Sequence, residues 1–337
     1  MNSAENLYKP AFSHIYMEKA AAGYDRTQRI LRHFPDAHLI TVDSYKDLFY
    51  RPAQDFSAQQ RSRCLILAVR RDNFVFPGAP VCQSFGNEHF YYTSCTMNCL
   101  YDCEYCYLKG MYPSGDLVVF VNTEEYFPHL DALLEKFPVY LCISYDTDLL
   151  AMEKLTGICR AWIDYAAGKE NLTIELRTKA ADPAIWEAPA LPNVIYAFTI
   201  SPQAAAAKYE HGAPAPGRRI ACAAEGIRRG FPVRLCFDPM LCLPDWQTQY
   251  RSMLSRVQEE IDLTKVRDFS VGTFRISAGY LKRMRRTMPG SAAVQYPYTL
   301  ENGVYGYEKK LSHEMEKLLA DELSGLVGPE KIFTWDA

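Results

Sequence analysis

The stretch Asn98-Cys99-Leu100-Tyr101-Asp102-Cys103-Glu104-Tyr105-Cys106-Tyr107-Leu108 holds three cysteines, separated by three and then two residues, with an aromatic side chain directly before the last. A cubane iron-sulfur cluster is held by thiolates, normally four. A compact loop that offers only three leaves one iron open to a ligand other than protein, and the open corner is where chemistry can happen. Cys99, Cys103 and Cys106 are therefore the candidate cluster ligands. Zinc takes the same residue type, and Cys95 brings a fourth thiol close by. Structural zinc, however, uses two close pairs separated by a longer arm, whereas these four thiols share one loop. Choosing Cys95, Cys99 and Cys103 would give three-and-three spacing without the aromatic, so Cys95 is read as a bystander at a strand end.

Composition bounds the rest. The chain has 337 residues, 48% of them hydrophobic, enough for a large core. A net charge of -3 gives no global attraction to nucleic acid, so any such contact must rest on a local basic face. Eleven cysteines, with Cys64, Cys159, Cys222 and Cys236 set in apolar stretches, point to reduced thiols and a cytoplasmic setting. Met1 to Lys9 has no basic segment followed by an apolar run, and no window reaches about eighteen uninterrupted apolar residues, so neither secretion nor a membrane span is expected.

The first stretch, 1–85, reads as a small α/β unit: a helical segment over Ile15 to His33, then strands at His38 to Val42 and Cys64 to Val69. From Phe90 onward, apolar runs of strand length alternate with helical stretches, the pattern of βα units on a parallel sheet. Six strands are predicted, at Phe90-Thr93, Val139-Ser144, Leu172-Arg177, Val194-Ile200, Val233-Phe237 and Phe269-Phe274. Several are apolar at consecutive positions, as strands buried on both faces should be. In parallel barrels reactive groups gather at the C-terminal strand ends, and the cysteine loop follows the first of these strands. Gly212 to Gly217 reads as a loop between helices. Past Ser277 regularity fades, until a helix near Glu308 to Leu323 and a short strand at Lys331 to Trp335 close the chain.

The cysteine run resembles the signature of radical S-adenosylmethionine (SAM) enzymes. That resemblance implies a [4Fe-4S] cluster, SAM chelated on its open iron, reductive cleavage to a 5'-deoxyadenosyl radical, and an α/β fold: a partial (β/α)6 barrel over 86–280, with the small N-terminal unit before it and a C-terminal extension over 281–337. Longer echoes are similar to the spore photoproduct lyases: Leu67-Ala68-Val69-Arg70-Arg71, Tyr105-Cys106-Tyr107-Leu108, Phe120-Val121-Asn122, Arg177-Thr178-Lys179, Phe198-Thr199-Ile200, Asp238-Pro239 with Trp246 and Tyr250, and Val304-Tyr305-Gly306. These enzymes reverse a methylene-bridged thymine dimer in DNA by abstracting and returning a hydrogen atom. The resemblance implies that Tyr105 and Tyr107 relay that atom, that Thr147, Lys179, Thr199 and Asp238 contact SAM, and that an electron donor such as flavodoxin or ferredoxin supplies reducing power. A monomer is the favoured oligomeric state.

The family donates hydrogen to the repaired thymine from a cysteine at the end of the second barrel strand. Here the run is Tyr140-Leu141-Cys142-Ile143-Ser144-Tyr145-Asp146-Thr147-Asp148, and alignment through Asp148 places Tyr145 where that cysteine belongs, with Cys142 three residues earlier. On a strand of period two these side chains face opposite sides unless the chain bends. Both stay candidates, with Cys142 preferred because a thiol is the family's chemistry. For DNA, Lys282, Arg283, Arg285 and Arg286 concentrate positive charge close to a tyrosine-rich segment with Tyr305, the pairing expected of a lesion reader. A solvated helix end is the competing reading. In the family an arginine accompanies the tyrosine on a hairpin that enters DNA; Val304 stands in its place. Two other functions remain in play: a radical SAM enzyme acting on another nucleic-acid lesion or a small molecule, and a zinc-containing nucleic-acid-binding protein without catalysis.

Overall fold

Runs that are apolar at consecutive positions can bury both faces of a strand, and in the computed structural model, which describes residues 12–79 and 81–335, they do so. The chain forms two compact units. The first gathers the described residues up to Gly78, Asn87–Leu100 and Leu108–Leu176; the second takes Ala79–Gly86, Tyr101–Tyr107 and the chain from Arg177 onward.

In the first unit the strands are β1 (His14–Glu18), β2 (His38–Val42), β3 (Leu65–Ala68), β4 (Phe90–Tyr92), β5 (Leu117–Phe120), β6 (Val139–Cys142) and β7 (Leu172–Thr178), the last two residues of β7 counting with the second unit. One sheet runs β2-β1-β3-β5, all parallel, with Thr96–Met97 antiparallel along β5. In the other, β4, β6 and β7 are parallel and Phe76–Pro77 pairs antiparallel with β4. Strands β3, β5 and β6 are buried at every position. The helical reading of Ile15 to His33 is corrected: β1 opens that stretch, a 3-10 turn follows at Lys19–Ala21, and only Asp25–Arg32 (α1) is α-helical. Ile15 and Met17 point inward at a spacing of two, and β1 is paired on both edges, which holds it extended. The strands expected at His38 to Val42 and Cys64 to Val69 are β2 and β3.

The second unit carries β8 (Val194–Thr199), α2 (Gln203–Tyr209), α3 (Pro216–Arg228), β9 (Val233–Met240), α4 (Trp246–Glu260), β10 (Asp268–Thr273), α5 (Ala278–Thr287), β11 (Thr299–Glu301), β12 (Val304–Gly306), α6 (Lys309–Ser324) and β13 (Ile332–Thr334). Strands β8, β9, β10 and β13 are parallel neighbours in that order. All six predicted barrel strands are present, as β4 and β6 to β10. The Gly212 to Gly217 loop is shorter than expected, because Pro216 opens α3, where a first-turn proline loses no hydrogen bond.

Beyond Ser277 the chain is more regular than its sequence suggests. Arg275–Ser277, β12 and β11 form a three-stranded antiparallel sheet. The β11–β12 hairpin turns on Asn302 and Gly303, whose φ angles of +47° and +81° are those of a type I′ turn. No helix among the described residues is long and apolar enough to cross a membrane.

Candidate active site

In the first unit the reactive candidates lie at the ends of β4 and β6. Cys142 closes β6, is 7% exposed, and stands opposite Tyr92, the last residue of β4. Two residues on, Ser144 bridges Ser94 in the antiparallel sense, which bends the chain. The bend brings Tyr145 back over Tyr92, with ring centroids 4.1 Å apart and planes 27° from parallel. The conflict posed by a straight strand is thereby removed: Cys142 and Tyr145 both neighbour Tyr92. Asp146, between Tyr145 and Thr147, is buried; its carboxyl is pushed above the ordinary range by burial, which hydrogen bonds from Ser94 and Tyr112 only partly offset. Thr147 is also buried, and its hydroxyl has no hydrogen-bond partner among the described residues. An orphaned buried hydroxyl is costly unless a ligand completes it, so Thr147 fits a cofactor contact.

Cys99 is half-buried, and its carbonyl accepts from Arg63 Nη1 at 2.5 Å. The preceding Asn98 takes a φ of +69°, and its side-chain amide donates to the carbonyls of Ser114 and Asp116 at 2.8 and 2.6 Å. Cys95 is elsewhere in character. It is 1% exposed, burial raises its thiol to about 12, and the Trp162 indole N–H lies 3.2 Å from its sulfur. A thiol so reluctant to ionise is a poor metal ligand.

In the second unit Asp102–Cys103 forms a two-residue antiparallel ladder with Glu210–His211, pairing Cys103 with Glu210 and Asp102 with His211. The Glu104 amide donates to the Tyr209 carbonyl at 2.8 Å, and the Glu104 carboxylate meets His211 Nε2 at 2.8 Å and the Ser291 hydroxyl at 2.5 Å. Cys106 turns back so that its amide donates to the Cys103 carbonyl at 3.2 Å. Within this strapped segment the Tyr105 hydroxyl donates to Glu210, which also accepts from Ser201 at 2.8 Å and from Arg219 Nη2 at 2.5 Å. Arg219 is itself fixed by the carbonyls of Pro214 and Thr199 at 2.7 and 3.2 Å. Burial would raise the Glu210 pKa, but Lys179 and Arg219, with the two hydrogen bonds from Tyr105 and Arg219, hold it below the usual carboxylate range.

Half-buried Lys179 has its ammonium 5.5 Å from the Tyr105 ring centre. Burial works against its charge, yet Cys103, Glu210 and Cys106 outweigh it and raise its pKa. A cation is thus kept beside two of the candidate thiolates, which suits both an anionic cluster and a ligand carboxylate. Among the described residues no three His, Cys, Asp or Glu side chains converge as they would around a single metal ion. A cubane does not require this, because each thiolate serves a separate iron.

The remaining candidates differ in character. Thr199 ends β8, is 4% exposed, and its carbonyl is taken by Arg219. Asp238 is bound in a bidentate pair by Arg275 at 3.1 Å on each oxygen and approached by Arg177 at 3.8 Å. Gly272 makes room for this pair, since a Cβ there would sit 2.9 Å from the Arg275 guanidinium. Tyr107 follows Cys106 and is half-buried. On α5, Lys282, Arg283 and Arg286 are exposed, whereas Arg285 donates to the Val294 and Tyr296 carbonyls at 3.2 and 2.7 Å and lies 5.3 Å from the Tyr305 ring centre. The residues that sequence reasoning missed are Glu210, Arg219 and Tyr92. Glu210 has no motif around it, and its role comes from a contact 105 positions away.

The spore photoproduct lyase family model matches residues 9–299. No curated protein matches the sequence. Among solved structures, spore photoproduct lyase complexed with dinucleoside spore photoproduct superposes with a TM-score of 0.80 at 16% identity, covering 96% of this chain and 99% of that one. A double mutant of spore photoproduct lyase with bound AdoMet and dinucleoside spore photoproduct gives a TM-score of 0.81 at 16% identity, covering 96% and 98%. At that identity the structures establish the fold, a curled parallel half-barrel of the radical SAM type, and the family model establishes the lineage. Because the family model matches residues 9–299, most of the chain, the chain belongs to the spore photoproduct lyase family of radical SAM enzymes.

Proposed function

We propose that this chain reverses a methylene-bridged thymine dimer in DNA to two thymines. The observation that carries this reading is the Lys179 ammonium held 5.5 Å from the ring centre of Tyr105, the residue directly before the candidate ligand Cys106. Cys99, Cys103 and Cys106 would hold the [4Fe-4S] cluster, which together with SAM supplies a 5'-deoxyadenosyl radical when bound. Lys179 would pair with the cofactor carboxylate, and the orphaned Thr147 hydroxyl would complete a second contact. Thr199 remains a third candidate at its strand end, while Asp238, saturated by Arg275, is better suited to holding that strand end than to touching a ligand. After the bridge fragments, Cys142 or Tyr145 donates a hydrogen atom to the thymine radical. Tyr105 and Tyr107, the phenols flanking Cys106, carry a hydrogen atom back.

The damaged bases must leave the stack, at a cost of a few kcal/mol that a distorted dimer partly offsets. We assign that contact to 281–337, with Lys282, Arg283 and Arg286 on phosphates, Tyr305 as the wedge, and Arg285 beneath it in place of the cation missing at Val304. In the same division 1–85 is the N-terminal unit and 86–280 the barrel. A chain of eleven cysteines, several of them set in apolar stretches, suits a reducing cytoplasm, where a flavodoxin- or ferredoxin-type donor would serve a monomer. The test is anaerobic incubation with dinucleoside spore photoproduct, reductant and SAM. Two thymines as product are expected. SAM cleavage with the dinucleoside untouched would refute this substrate and favour a different one, a reading to which the tyrosine at position 145 lends weight.

A further inference from the structure

Tyr92 has no part in the reaction as described, yet it neighbours both candidate donors. It ends β4 opposite Cys142 in a parallel register, so the two side chains emerge on one face. Its ring stacks on Tyr145, with centroids 4.1 Å apart. It also stacks on Phe76, at 5.0 Å and 15° from parallel. The residue is half-buried rather than fully exposed to solvent. We propose that Tyr92 is a third redox residue, which exchanges a hydrogen atom with whichever of Cys142 and Tyr145 has given one to the substrate.

This rests on the repair reading and deepens it. Once the donor has lost its hydrogen atom, the Tyr92 O–H bond breaks, and an S–H bond at Cys142 or an O–H bond at Tyr145 forms. One proton and one electron move together, and the unpaired electron ends on Tyr92. No outside oxidant is required, because thiol S–H and phenol O–H bonds are of comparable strength and the exchange is reversible. Its consequence is to draw the radical away from the newly repaired base, so that the donor cannot simply take its hydrogen back.

The holoenzyme with 3-aminotyrosine at position 92, whose weaker O–H bond makes it a radical sink, is freeze-quenched while converting dinucleoside spore photoproduct. An aminotyrosyl signal in electron paramagnetic resonance is expected to grow, with repair per 5'-deoxyadenosine formed falling several-fold. Tyr92→Phe keeps the ring and removes only the hydroxyl. It is expected to lower the same ratio several-fold while preserving the near-ultraviolet circular dichroism of the unloaded protein. Repair without any aminotyrosyl signal, or a wild-type ratio in Tyr92→Phe, overturns the proposal. Failure of the repair reading is distinguishable, because the wild-type enzyme would then convert no dinucleoside.

Discussion

Replacing Glu210 by Ala should unfold the second unit more readily than its small size as a change suggests. The Glu210 and Arg219 side chains are both 0% exposed and 2.5 Å apart. Removing one member of such a buried pair strands the other charge, at a cost of about 3–5 kcal/mol. The Tyr105 and Ser201 hydroxyls lose their acceptor as well. Each orphaned group adds about 1–3 kcal/mol if water cannot enter. Water entry into the vacated space brings the expected total back to about 4 kcal/mol, a large share of the 5–15 kcal/mol typical of a folded domain. Glu210→Gln returns an acceptor to both hydroxyls without the charge, and should recover about 1–3 kcal/mol. Urea denaturation followed by circular dichroism measures both. Because the folded protein holds the Glu210 carboxyl below its usual range, its contribution is complete above about pH 4.3 and fades only as pH falls through the folded value. A loss in Glu210→Ala under about 1 kcal/mol, the scale of an exposed ion pair, would show that Glu210 does not organise the cysteine segment.

Cys103→Ala should abolish the brown colour and the iron content of about four per chain in anaerobically purified protein, and a variant that keeps both has some other ligand. Changing Lys282, Arg283 and Arg286 together to Gln should flatten the salt dependence of duplex binding, by about 0.9 in logarithmic slope for each phosphate no longer neutralised; an unaltered slope places the DNA elsewhere. For Asp146 the folded pKa is raised, so the native state binds more protons than the unfolded one between the two pKa values, and stability falls as pH rises through that window. Asp146→Asn should therefore gain on the wild type as pH climbs from about 4, and parallel stability curves would contradict the burial of that charge.

The barrel is legible in the sequence because parallel strands buried on both faces leave a run of apolar residues that no helix at that length explains. Strand β8, buried at every position, is the clearest case. β1 is misread as helix because only Ile15 and Met17 mark its two-residue period before α1 begins. β11 and β12, three residues each, are too short to alternate visibly, although Asn302-Gly303 between them is a hairpin signal. The cysteine loop shows itself by spacing alone. Its supports do not, since Glu210 and Lys179 meet Tyr105, and Arg219 meets Glu210, only through the folded chain, and the bend that brings Tyr145 to Tyr92 comes with a Ser94–Ser144 bridge that no local pattern announces.

The short ladder joining Cys103 to Glu210 also sets an order of assembly. The segment between the second and third thiols acquires its shape only when residues more than a hundred positions later have been made and packed, with Arg219 seated behind them. Contacts so distant in sequence form late. If these thiols take the proposed cluster, its insertion is expected to wait until synthesis has passed α3, because a chain ending before it lacks the ladder and the Arg219 contact that shape the segment from Cys103 to Cys106.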